Sequence, residues 1–222
     1  MNFKEIKNKS KKFINWLWNS DSILSYLVFL LIIFILIKFI IFPFFGFAFG
    51  GVELPFAIVE SSSMDHSITE DSLGKLTLCG KTYEKKERID SETYWDVCGE
   101  WYQANTEITE EKFREFPFRN GFNKGDVLII TNWNEPELGG VLLFRANAGS
   151  SAPHPIIHRI IGLDPLETKG DHNNGQLKSK NDLHGTDETN IDPNRIMGTA
   201  TLRIPYIGWP KLWIVESWDK LT

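Results

Sequence analysis

The hydrophobic and polar positions of the chain change pattern twice. Residues 23–42 form one apolar run, broken only by Ser25, Tyr26 and Lys38. As a helix rising 1.5 Å per residue, such a run spans about 30 Å, the thickness of a bilayer's hydrocarbon core. Ser20-Asp21-Ser22 offers N-cap side chains just before it. Pro43 and Gly46 mark its expected end, so a membrane helix is predicted over residues 22–43. A cleaved signal peptide would have a shorter apolar core and a small-x-small cleavage site, and neither is present.

Beyond the run, residues 52–59 are largely apolar and stop abruptly at Glu60-Ser61-Ser62-Ser63-Met64. The stretch to about residue 123 is polar, aromatic-rich and read as irregular. From Gly125 the pattern becomes β. Strands are predicted at residues 126–131, 141–145, 156–162 and 197–204, separated by Gly, Pro, Asn and Asp clusters. Residues 163–194 carry too many turn formers for regular structure, and a loop of that length in a compact domain is usually functional or mobile. The apolar segment 204–215 is too short and too Pro-broken for a second span, and its tryptophans suit the membrane surface. The expected class is therefore mainly β, a barrel or packed sheets, behind one N-terminal helix.

Charge sharpens this division. Residues 1–47 sum to +4 within a chain of 222 residues whose net charge is −5, so the remainder holds about −9. An acidic domain of this kind argues against nucleic acid as a partner. The lysines at positions 4, 7, 9, 11 and 12 precede the apolar run, which favours a cytoplasmic N-terminus by the positive-inside rule. Trp16 and Trp18 sit where amphipathic rings favour the headgroup region. The expected layout is a basic cytoplasmic tail over residues 1–21, a single-pass anchor in the cell membrane over 22–43 and an extracytoplasmic domain over 48–222.

Two cysteines, Cys79 and Cys98, fall in that outward-facing domain, where a disulfide is favoured over two free thiols. Closing a loop of about twenty residues contributes roughly 3 kcal/mol. A metal site would need a second pair of ligands. His154 and His158 are four apart, but Pro153 and Pro155 block the helix that would align them. No metal and no cofactor are expected.

Four features could carry chemistry: the Ser61–Ser63 cluster, His158-Arg159 in an apolar strand, Lys169-Gly170-Asp171, and the tail Arg203-Ile204-Pro205-Tyr206-Ile207-Gly208-Trp209. Taken singly, each has a plain structural reading: a turn, a core histidine, an Asp-rich turn and a packed terminus. In this order after one anchor they resemble the type I signal peptidases, in the archaeal and endoplasmic-reticulum branch. That family's boxes read here as Ser61-Ser62-Ser63-Met64, Gly125-Asp126-Val127, His158-Arg159-Ile160, Lys169-Gly170-Asp171-His172-Asn173-Asn174 and residues 198–208. The likeness covers the anchor and residues 52–69, 121–174 and 195–213. Residues of about 70–120 stand outside it, as an insertion. Ser62 occupies the family's glycine position, and His66 a position where proline is common.

The resemblance implies a membrane-bound serine endopeptidase that removes signal peptides from exported preproteins, with contacts to the secretion machinery. It makes Ser63 the nucleophile, His158 the general base, and the Ser61 hydroxyl with the Ser63 N–H the oxyanion donors. An imidazole with a pKa near 6.5 suits that base role at neutral pH. An acid on the other ring nitrogen would set its tautomer. The family's acids lie at the Gly-Asp turn and six residues later, where this chain has Leu177. Counting back from the downstream strand favours Asp187, so Asp171 and Asp187 stand together as candidates with Asp182 in reserve. Two other functions remain open: a maturation protease for surface proteins, and a catalytically silent binding module of the same fold.

Overall fold

The computed structural model describes residues 3–71, 73–147, 150, 154–179 and 185–219. It divides into two compact units, Met1–Ala48 and Phe49–Thr222.

The first unit is helical. Helix α1 covers Phe3–Asn19 and α2 covers Ile23–Leu36. Ser25 is buried where they meet, its hydroxyl donating to the carbonyls of Trp16 and Leu17 at 3.1 and 3.0 Å. The apolar helix does not stop at Pro43. It continues through a π-helical turn, Ile37–Ile41, into α3, Phe42–Ala48. Proline lacks an N–H and its ring crowds the carbonyl four residues back. The wider turn, in which the Phe42 N–H reaches Ile37 O, admits Pro43 without ending the helix. The continuous helix, Ile23–Ala48, has 26 residues and exposes its apolar side chains. Its length and composition fit a membrane anchor.

The second unit is built on a curled, half-barrel sheet. In chain order its strands are β1 (Phe56–Ile58), β2 (Thr69–Glu70), β3 (Leu76–Leu78), β4 (Lys81–Tyr83), β5 (Val127–Thr131), β6 (Val141–Phe144), β7 (Ile156–Leu163), β8 (Leu166–Lys169), β9 (Lys178–Ser179), β10 (Thr186–Asp187) and β11 (Ile196–Ile204). The main sheet is antiparallel in the order β1-β5-β11-β6-β7-β8. Register shifts in β11 and β7 add the local twist that curls it. All of β6 is buried, because Val141 and Leu143 face one core cluster while Leu142 and Phe144 face another. Such burial on both faces explains why that strand reads as a continuous apolar run.

The segment of residues 70–120, read from the sequence as an insertion, is more regular than its composition suggests. It holds the β2-β3-β4 meander and two helices, α4 (Ser91–Asn105) and α5 (Glu110–Glu115). The Asp90 side chain caps α4 by accepting from the Glu92 and Thr93 amides. Tyr94, Trp95, Cys98 and Tyr102 then recur at helical spacing and bury one face against Leu78, Phe113 and Phe116. Burying a side chain such as Phe113 contributes about 1.5–3 kcal/mol. Cys79 and Cys98 form a disulfide that staples the meander to α4. Residues 163–194 also hold more structure than expected, since β8 closes a hairpin on β7 and β9 pairs with β10. The last described element is helix α6, Trp209–Asp219, with Leu212 buried and Trp213 and Ile214 exposed.

Candidate active site

Strand β1 delivers the serine cluster. The Val59 N–H donates to Asp126 O and the Gly125 N–H to Val59 O, fixing the chain as it leaves the sheet edge. Met64 anchors the other end, 1% exposed in the core, with its carbonyl accepting from the Phe122 N–H. Between these points Ser61 Oγ and Ser63 Oγ lie 3.1 Å apart. The carbonyl of Ser63 accepts from the His172 N–H at 2.9 Å. Among the described residues no acceptor takes the Ser63 N–H. Nor is Ser62 among the residues with positive φ, so serine fits that position without backbone strain.

His158 sits in the middle of β7, opposite Leu142. Neighbours on a strand point to opposite faces, and here that sends the two side chains to different carboxylates. His158 turns its Nδ1 to Glu188 Oε1 in a short buried contact. Arg159 turns the other way, to Asp171. Glu188 is held by Thr168 Oγ1, which donates to Oε1 at 3.0 Å, and by the Leu177 N–H, which donates to Oε2 at 2.8 Å. Burial pushes the Glu188 carboxyl up, but the adjacent His158 and these donors outweigh it and hold the group below its ordinary value.

Gly170 packs beneath the histidine. A Cβ there would lie 2.8 Å from His158 Nε2 and 2.8 Å from the Ser63 carbonyl oxygen at once. That close approach requires glycine, and it brings the Ser63 and His158 segments to one place. The Ser63 hydroxyl itself pairs with Ser61 rather than with His158 in this conformation.

The acid behind His158 is therefore neither Asp171 nor Asp187. Asp187 accepts from the Thr189 N–H and hydroxyl, 3.0 and 2.7 Å away. Asp182 lies outside the described residues. Counting back from β11 leads to the residue beside Glu188, whose side chain points the other way because successive side chains there alternate. Glu188 also carries one methylene more than the aspartate sought. Its only local signal is its nearness to the matched downstream strand.

Asp171 instead organises a second buried cluster. Its carboxylate accepts from Arg159 Nε and Nη2 at 2.8 and 2.7 Å, and pairs with His66 Nε2 at 2.9 Å. Burial pushes this carboxyl up, yet the Arg159 charge and the bonds from His66 and Arg159 hold it well below the carboxylate range. His66 stacks on Tyr94 with 3.8 Å between centroids. Burial lowers its pKa against the opposing pull of Asp171. Lys169 is buried too, donating to Gly170 O at 2.9 Å over the rings of Trp101 and Tyr102. Burial pushes its ammonium down to about 8.

Ser61, Ser63 and His158 line one groove of about 1050 Å³. Among the described residues no group of three or more His, Cys, Asp or Glu side chains could hold a metal ion. A hydroxyl pair, an amide with no acceptor among the described residues and an imidazole backed by a buried carboxylate form a set suited to acyl transfer through an oxyanion.

No family model matches the chain. Among curated proteins it is similar to the signal peptidase complex catalytic subunit SEC11 of Pyricularia oryzae, with 28% identity over 109 residues, or 45% of this chain. The match spans 60% of that protein's length. This distant, partial likeness supports a relation to the signal peptidases.

Proposed function

We propose that this chain is a membrane-anchored serine endopeptidase that removes signal peptides from exported preproteins. The observation that carries the reading is that His158, backed by the buried Glu188, lines one groove with Ser63. In the proposed reaction a rotation of Ser63 brings its Oγ to His158 Nε2. The hydroxyl adds to the scissile carbonyl as Nε2 takes its proton. The Ser63 N–H and Ser61 hydroxyl stabilise the oxyanion, each donor being worth a few kcal/mol. Nε2 then protonates the leaving amine, and water releases the acyl group by the same steps in reverse roles. Glu188 holds the Nδ1 proton and stabilises the imidazolium. Asp171 is assigned to bracing the loop rather than to the relay.

The proposed topology is a single span with a cytoplasmic N-terminus and an extracytoplasmic domain, in which the anchor raises the enzyme's effective concentration on substrates emerging from the same membrane. Its basis is the apolar helix behind a lysine-rich segment. The test is processing of a preprotein by the full chain in liposomes. Ser63→Ala and His158→Ala should each lose at least about 10³-fold in kcat, and full cleavage by either sinks the mechanism. The Ser61–Ser63 hydroxyl pairing favours one other reading, a silent binding module. Retained peptide binding with no cleavage by the wild-type chain would select it.

A further inference from the structure

The groove that holds Ser63 and His158 has a second wall that the main sheet does not supply. It comes from the meander of the insertion, and strand alternation explains how. Leu76 and Tyr83 turn into the aromatic core, while Thr77 and its cross-strand partner Thr82 line the groove. Lys75 and Leu73 extend this wall at the turn before β3, and Leu73 is 78% exposed.

The wall is tied to the serine segment by backbone bonds. The Cys79 N–H donates to His172 O at 2.9 Å, and the His172 N–H donates to Ser63 O at 2.9 Å. Its charges are unequally satisfied. Asp71 accepts from the Leu73 and Lys75 amides. The groove's other ammonium, on Lys211, pairs with Glu60 at 2.8 Å. Among the described residues no carboxylate lies within ion-pair distance of Lys75.

We infer that this wall is a substrate subsite, in which an extended peptide segment lies against Leu73, Thr77 and Thr82 while Lys75 selects an acidic side chain. The inference rests on the peptidase reading of the groove. The occupant is a peptide because the wall is continuous with the site that would cut it, and an acidic side chain would supply the partner that Lys75 lacks. An exposed pair of this kind changes affinity by about two- to five-fold and weakens as salt rises.

The experiment uses the full chain in detergent and leader-peptide substrates carrying Asp or Lys at successive positions on both sides of the cut. Cleavage is measured as kcat/KM, and binding is measured separately on a Ser63→Ala background. Wild type should favour Asp over Lys by about two- to five-fold at one or two adjacent positions. Lys75→Glu should reverse that preference and Lys75→Ala should level it. Lys86→Glu, a lysine outside the groove that pairs with Glu70, should leave it intact. Identical position profiles for wild type and Lys75→Glu in binding overturn the subsite, whether or not the peptides are cleaved. Lys75-dependent binding without cleavage retains the subsite and overturns the peptidase reading instead.

Discussion

The carboxylate of Glu188 meets Nδ1 of His158 in a buried pair, and its oxygens are held by Thr168 and by the amide of Leu177. Thr168 belongs to β8, the strand paired with the one that carries His158. The Thr168 N–H also donates to Glu188 O. His158 and Glu188 are therefore set by one hairpin and the segment lying along its edge.

From this follows a contrast between neighbouring acids. Glu188→Gln preserves size but presents either an amide N–H or a weaker acceptor to Nδ1, so kcat should fall by about 10²- to 10⁴-fold with little change in KM. Asp187→Ala should lose its bonds to Thr189 and its attraction to Arg195, costing about 0.5–1.5 kcal/mol of stability and less than about two-fold in kcat. Steady-state kinetics on one preprotein substrate decides it. Equal losses in the two variants would remove Glu188 from its assigned role.

The long apolar helix, the main strands and the Ser-Ser-Ser-Met segment could be read from the chain because each is marked locally, by apolar length, by short apolar runs between turn formers or by contiguous residue types. Glu188 could not. Its position depends on pairing with β8 and on the Leu177 amide, partners twenty and eleven residues away. The insertion's order was visible in principle, as an Asp90 cap followed by Tyr94, Trp95, Cys98 and Tyr102 on one helical face. Polar residues between those aromatics obscured the period. Pro43 misled in the opposite direction, since a π-turn absorbs it. His66 read as a departure from a proline position, and only the tertiary structure shows it buried against Asp171.

Acid should unfold the protein in two stages. His66 has its pKa lowered in the folded state, so the unfolded chain binds more protons below the ordinary value of 6.5. Its contribution is complete above that pH and is lost as pH falls below it. The carboxyl of Asp171 is also held down, so its contribution is present above its ordinary value of 3.8 and is lost on further acidification. Urea unfolding in detergent between pH 7 and 3, below the range in which Lys169 titrates near 8, should show a decline beginning near 6.5, shared with His172, whose pKa burial also lowers. His66→Gln should flatten that first decline by up to about 1.4 kcal/mol per pH unit. An unchanged slope between pH 7 and 5 would contradict the assignment.

The insertion should stabilise the site as well as itself. Replacing both Cys79 and Cys98 by alanine opens a loop with a sequence separation of 19, at a cost of about 3 kcal/mol. Tyr94→Phe removes the hydroxyl that donates to Asp171 O at 2.8 Å, and should cost about 0.5–1.5 kcal/mol. Thermal unfolding measures both. If the insertion braces residues 171–172, each variant should also lose kcat well below its unfolding temperature, with the double cysteine variant the more affected. Full activity in both would limit the insertion to a structural role of its own.

Gly170→Ala tests whether the approach of Ser63 to His158 depends on the turn beneath them. The added methyl would meet Asn173 Nδ2 at 2.6 Å, and His158 Nε2 and Ser63 O each at 2.8 Å. Asn173 can swing aside, but the Ser63 oxygen is backbone, and Nδ1 of His158 is tied to Glu188. Relief must therefore come from separating the serine segment from the histidine. Overpacking of this kind costs about 1–3 kcal/mol, which the remaining core can tolerate. A displacement of about 1 Å in a reacting group costs on the order of 10²-fold in rate. The variant should fold, retain its circular dichroism spectrum and lose about 10²-fold in kcat. Adding Asn173→Ala removes one of the three contacts and leaves the other two, so activity should stay low. Recovery in the double variant would show that Asn173, rather than the Ser63–His158 spacing, limits the reaction.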